Sequence, residues 1–154
     1  MKLLRFRVTD FRSVADSEWI DASEVTALIG ENEAGKTNLL LPLWKLKPSG
    51  GGEIHLLDDM PRSRYAETRA SPAHHRFIHC VFELDERERA LPERFGADPT
   101  KNETITVHRN YSGEYRIEFT DEKSFSTAEA YEQTDEDADE GAGGRGGEEE
   151  ASAR

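Results

Sequence analysis

The stretch that most limits what this chain can fold into is ALIGENEAGKTNLL, residues 27–40. Within it GENEAGKT, residues 30–37, fits G-x-x-x-x-G-K-[ST], and each fixed position has a physical reason. Glycines at Gly30 and Gly35 let the backbone curl so that successive N–H groups converge on one point, which suits an anion. A helix opening at Lys36 adds its free amides and the positive end of its dipole. The Lys36 side chain then reaches the β- and γ-phosphates of a nucleotide, and the Thr37 hydroxyl is placed to ligate Mg²⁺. Such a loop needs a buried strand leading in and a helix leading out. Residues 25–29 read as a short buried strand. From Lys36 onward Leu39, Leu40, Leu43, Trp44 and Leu46 recur at helical spacing, until Pro48 and the glycines at 50–52 stop them. Pro42 lies inside that pattern, where it kinks or shortens a helix. A glycine-rich strand-to-helix turn without a ligand is the plainer reading; pattern and context together favour a phosphate cradle.

The variable positions add detail. Residues Asn32, Glu33 and Ala34 supply the cradle's middle, with Asn32 a neutral amide in reach of a phosphate or an attacking water. Glu31 and Glu33 put acids into a loop meant for anions, so their side chains are expected to face solvent. Asn38 falls in the first helical turn, close enough to metal or phosphates to assist.

Around this loop, residues 4–8 alternate, with Leu4, Phe6 and Val8 on one face and Arg5 and Arg7 on the other, the period of a half-buried strand. Asp10, Phe11, Arg12 and Ser13 break the run, and Trp19 and Ile20 begin a second strand. Residues 48–75 hold few periodic positions and read as an irregular connection or short elements. Residues 77–84 form a strand with Ile78, Cys80, Phe82 and Leu84 on one face. Residues 85–95 suit a short charged helix interrupted at Pro92. Residues 104–108 and 115–119 alternate around a Gly113-containing turn, a β-hairpin signal.

Taken together, residues 1–46 resemble the N-terminal segment of the SMC/RecF/OLD group of ABC-type P-loop ATPase heads, within the AAA ATPases. The residues that carry the resemblance are those at 4–8, then Phe11, Arg12 and Ser13, the spacer with Trp19 and Ile20, then residues 27–32 running into Gly35, Lys36, Thr37, Asn38, Leu39 and Leu40. The resemblance implies ATP and Mg²⁺ as cofactors. Arg12 approaches the phosphates, Asn32 sits near the γ-phosphate, and Lys36 and Thr37 play the roles above. It also implies DNA repair, maintenance or defence against mobile DNA as the setting, with DNA a candidate partner. Asp10 stands where the group usually has Asn, and Glu33 where Gly or Asn is commoner. Members of the group hydrolyse ATP between two heads, using a Q-loop, an LSGG-like signature, a Walker B Asp-Glu and a switch His, none of which is recognisable here. The expected partner is a second head, as a homodimer or as a missing C-terminal half. Turnover is expected only then; a nucleotide-sensing module without turnover is the alternative, and a non-nucleotide α+β scaffold a third.

The fold expected is α/β: an N-terminal lobe of a P-loop NTPase over residues 1–127, with a mixed sheet and an antiparallel hairpin. An acidic tail, residues 128–154, is expected to be disordered. Residues 135–154 hold eight acidic and two basic side chains and no large apolar one, too little to offset the entropy of ordering. The tail reads as a solvated terminus rather than an interaction arm or nucleic-acid mimic. The formal net charge is -12, with no basic patch of the kind a standalone DNA-binding surface shows. A single cysteine, Cys80, and no membrane-length apolar run point to a reducing, cytoplasmic setting.

Four local patterns are weaker. Residues 81–86 imitate a Walker B strand, but Glu83 in their middle breaks the all-apolar character of a central parallel strand. Leu56, Leu57, Asp58 and Asp59 make too short a run to do better. His74, His75, His79 and Cys80 invite a metal reading, which the opposite faces of His79 and Cys80 on a strand disfavour. Arg62, Arg64 and Tyr65 read as a solvated loop before they read as a DNA contact.

Overall fold

The alternation at the start of the chain produces a ten-residue strand, β1 (Lys2–Phe11), whose Phe6, Val8 and Phe11 are buried while Arg5 stays exposed. The computed structural model describes residues 1–31, 35–48, 52–120 and 124–126. The expected tail and domain boundary, along with Asn32, Glu33 and Ala34 of the loop, lie outside them. β1 ends where Asp10 and Arg12 both take positive φ, 48° and 52°, and reverse the chain. β2 (Val14–Asp16) then folds back on β1, and β3 (Ile20–Asp21) pairs with the first half of the same edge. The strand expected at Trp19 and Ile20 is therefore present at Ile20, with β2 in addition.

The opposite edge of β1 carries β4 (Arg76–Glu83), followed outward by β5 (Thr104–Asn110), β6 (Tyr115–Phe119) and β7 (Ser124–Ser126). Every pairing among the described residues is antiparallel. The β5–β6 hairpin forms as the sequence predicts, with Gly113 at φ 86° in its turn.

Register assigns the faces. Phe6 lies opposite Cys80 and Val8 opposite Ile78, and Cys80 is in turn opposite Val107, so these side chains share one face. Helix α1 (Lys36–Leu46) touches β1 and β4, and its Leu39, Leu43 and Leu46 pack on the core of Phe6, Val8, Phe11, Phe77, Ile78 and Tyr111. A second cluster of Leu84, Ala97, Ile105 and Phe119 closes the far end. The other face is polar, with Arg7 opposite His79, and His108 opposite both His79 and Arg116. Between α1 and β4 run α2 (Leu56–Asp59), a 3-10 turn at Arg62–Arg64, α3 (Tyr65–Ala70) and a second 3-10 turn at Pro72–His74.

Four expectations need correction. Residues 25–29 are not a buried strand: they are extended chain, with Val25 85% and Ile29 94% exposed. Ser23 bonds locally here in place of a ladder: its N–H donates to Thr26 Oγ1 (2.9 Å) and its hydroxyl to the Val25 carbonyl (2.8 Å). With that strand goes the parallel part of the expected mixed sheet. The charged helix of residues 85–95 shrinks to α4 (Leu91–Arg94), because the Asp85 carboxylate accepts from the backbone N–H groups of Arg87 (2.9 Å) and Glu88 (3.1 Å) and fixes a turn first. Pro92 then sits in the first turn, where its missing N–H costs nothing. β4 is also less exposed than its alternation implies, since Phe77, Ile78, Cys80 and Val81 are all buried. It remains antiparallel to both neighbours with Glu83 exposed, unlike a Walker B strand. Lastly, α1 continues through the buried Pro42 to Leu46 and is not shortened by it.

Candidate functional site

The loop meets α1 at Gly35, which caps the helix at φ 87°, a conformation that strains any side-chain-bearing residue. A Cβ there would lie an ordinary 3.8 Å from Ser13 Oγ, so backbone conformation rather than space is what demands glycine. Among the described residues, no side chain caps this helix end and no acid lies in its first turn. The Lys36 ammonium folds back along the loop and donates to the carbonyls of Gly30 (2.6 Å) and Glu31 (2.6 Å). Thr37 is exposed. Asn38 donates from Nδ2 to Ser13 Oγ (2.8 Å), across 25 residues, and so ties the helix start to the turn that follows β1.

That turn borders an open cleft of about 700 Å³ lined by Asp10, Arg12, Ser13, Asn38, Arg62 and Arg64, among others. Arg12 and Asn38 thus face one space. Arg12 is held by Asp59: its backbone N–H donates to the Asp59 carbonyl (2.9 Å) and its NH2 group to Asp59 Oδ1 (3.1 Å). Arg64 reaches across the cleft to Asp10 Oδ2 (2.6 Å) while also pairing with Glu67, so the basic stretch at 62–64 is a wall of the cleft. Its two carboxylates push the Arg64 guanidinium above its ordinary pKa, Glu67 most.

Asp59 is the least expected member. It is 0% exposed, yet it pairs with Arg12 and with Lys45 (2.8 Å), itself buried on α1. Tyr111 joins from the β5–β6 turn, its hydroxyl shared between the carbonyls of Asp10 (2.6 Å) and Asp59 (3.0 Å). Burial and the two nearby carboxylates raise the phenol's pKa, so it stays a donor. The signal for Asp59 and Lys45 was thin: an acid in a run too short to be a strand, and a lysine inside a leucine-rich helix.

The histidines make a separate cluster on the polar face. His79 Nδ1 lies 2.6 Å from His108 Nδ1, His79 Nε2 lies 3.0 Å from Thr9 Oγ1, and Glu118 Oε2 lies 3.0 Å from His108 Nε2. Burial lowers the pKa of His79 to about 4, with repulsion from His108 adding to it, and burial also lowers that of His108. Cys80 points into the core on the other side, its thiol pushed up to about 12 by burial. The two residues therefore share no ion, and among the described residues no group of three or more metal-binding side chains gathers. No helix among them is long and apolar enough to cross a membrane.

No family model matches the chain. Over 46 residues it is 48% identical to the DNA replication and repair protein RecF of an Anaeromyxobacter species, and equally to RecF from two strains of Anaeromyxobacter dehalogenans. Each match takes in 30% of this chain and 12% of the relative's length. Over that stretch the chain is similar to RecF, which supports a relation, at a coarse level, to proteins of DNA replication and repair.

Proposed function

We propose that this chain is an ATP·Mg²⁺-binding segment of an SMC/RecF/OLD-like ATPase head, serving DNA repair, maintenance or defence, with hydrolysis dependent on a C-terminal half or a second head. The observation that carries the reading is the bond from Asn38 to Ser13, which joins the Gly35–Lys36 helix start to the Arg12 turn around one cleft. Phosphates at the helix start would draw the Lys36 ammonium from the carbonyls of Gly30 and Glu31, and Thr37 is free to meet Mg²⁺ from solvent. The same phosphates would then lie beside Arg12, on the wall of the cleft. Dependence on a completing segment is supported by the apolar surface flanking the loop: Val25, Ile29, Leu40 (51%) and Trp44 (42%) are exposed.

Titration of the chain with Mg·ATP tests the reading. The unmodified chain should bind, and Lys36→Ala should lower affinity at least about a hundredfold, since it removes a charge-assisted contact to two phosphates. Unchanged binding by Lys36→Ala would sink the site assignment. Phosphate release should be negligible for the chain alone and appear on adding a chain that carries Walker B and signature motifs. ATP binding that persists without turnover even then would favour a nucleotide-sensing module.

A further inference from the structure

We propose that Asp59 is a positioning residue that aims Arg12 at the nucleotide phosphates; the inference rests on the nucleotide reading above. The Asp59 carboxylate divides its work between its two oxygens. Oδ2 meets Lys45 Nζ (2.8 Å) and the N–H of His55 (2.9 Å), both belonging to the scaffold. Oδ1 meets Arg12 NH2 (3.1 Å). Lys45 alone would neutralise a buried aspartate, so the second cation is not needed for charge balance. Of the two, only Arg12 reaches the surface: its side chain is 33% exposed against 5% for Lys45.

The backbone of residue 59 acts on the same target. Its carbonyl takes the Arg12 N–H (2.9 Å) and shares the Tyr111 hydroxyl with the Asp10 carbonyl, so bonds arrive on both sides of Phe11. Asp10 and Arg12 sit at φ 48° and 52°, a region that non-glycine residues keep only when their surroundings enforce it. Residue 59 is the enforcing contact. The guanidinium so fixed stands at the wall of the cleft with its side chain 33% exposed. A charged, planar set of donors held at the wall of a polar cleft suits a phosphate oxygen.

The experiment compares ATP, ADP and AMP by calorimetric titration of the full chain and five variants. Asp59→Asn keeps an oxygen for Lys45 and His55 but turns an amide NH2 toward Arg12. Because that change alone strips Lys45 of its counter-charge and costs stability, Asp59→Asn with Lys45→Met removes the buried pair together. Lys45→Met alone is the control, and Arg12→Ala the reference. Lys45→Met should keep ATP affinity within about threefold. The double variant should lose about tenfold for ATP, less for ADP and least for AMP, as expected for one charge-assisted hydrogen bond. Arg12→Ala should lose as much, and adding it to the double variant should change nothing further. Equal losses for the three nucleotides, or losses that add with Arg12→Ala, would make Asp59 a purely structural residue and overturn the proposal while leaving the nucleotide reading intact. No binding by the unmodified chain would overturn both.

Discussion

Two short apolar runs in this chain have similar composition and opposite fates. Phe77, Ile78, Cys80 and Val81 in β4 are all buried, whereas at residues 25–29 Val25 is 85% and Ile29 94% exposed. β4 has β1 on one edge and β5 on the other, with α1 over its core face. Residues 25–29 have no strand partner among the described residues, and Ser23 binds their backbone locally instead. A strand is thus a property of its neighbours as much as of its residues. The antiparallel half of the molecule carries its own neighbours. The half around Gly35 and Lys36 leaves its apolar flank bare.

The strongest way to test that contrast is to damage the packed side. Phe77 is 0% exposed and contacts the rings of Phe11 and Tyr111 at centroid distances of 5.7 and 5.2 Å. Phe77→Ala should cost about 3–5 kcal/mol by urea denaturation, through lost burial and a cavity that β1 and the 111 turn cannot close. A loss under about 1 kcal/mol would mean that this face is no better packed than the other.

Acid should weaken the same half more gently. His79 stays neutral in the folded chain down to about 4, through burial first and then repulsion from His108, Arg76 and Arg7, with Glu118 opposing. The unfolded chain takes up that proton near its ordinary value of about 6.5, so it binds more protons across the interval. Stability should therefore fall as pH drops from about 6.5 to about 4, by on the order of 2 kcal/mol after allowing for partial exposure. His79→Gln should flatten that slope; an unchanged slope would assign it to other groups. A smaller effect is expected in the β5–β6 turn, where Gly113→Ala at φ 86° should cost about 1 kcal/mol in the same assay, from backbone strain alone, since the nearest atom to an added Cβ is 3.9 Å away.

What could be read in the sequence divides along the same line. β1, α1 and the β5–β6 hairpin declare themselves by period and turn chemistry, because each satisfies its bonds with near neighbours. Gly35, Lys36 and Asn38 could be singled out because a phosphate-loop pattern asks for fixed residue types at fixed spacing. Asp59 was not, since nothing local marks an acid that will be buried against Arg12 and Lys45, 47 and 14 positions away in the chain. The His79–His108 pair was hidden for the same reason: it exists only once β4 and β5 are in register, with His79 opposite His108. Residues 25–29 misled in the other direction. Their composition asks for a buried strand, and the described residues offer no surface on which to bury it.

The smallest predicted effect bears most directly on that last point. Ile29→Ser removes an apolar side chain that is 94% exposed, so in this chain alone its stability should change by no more than about 0.5 kcal/mol. The same substitution should matter when a completing half or second head is present, because an apolar residue beside the loop would then pass from water into an interface, a transfer of roughly 1.5–3 kcal/mol. Denaturation of the variant, with and without a chain supplying Walker B and signature motifs, measures both values. A large cost in the chain alone would mean that residues 25–29 are already packed, and the contrast between the two halves would disappear. No cost in either setting would locate the completing surface elsewhere, with the exposed Leu40 and Trp44 on α1 the next positions to change.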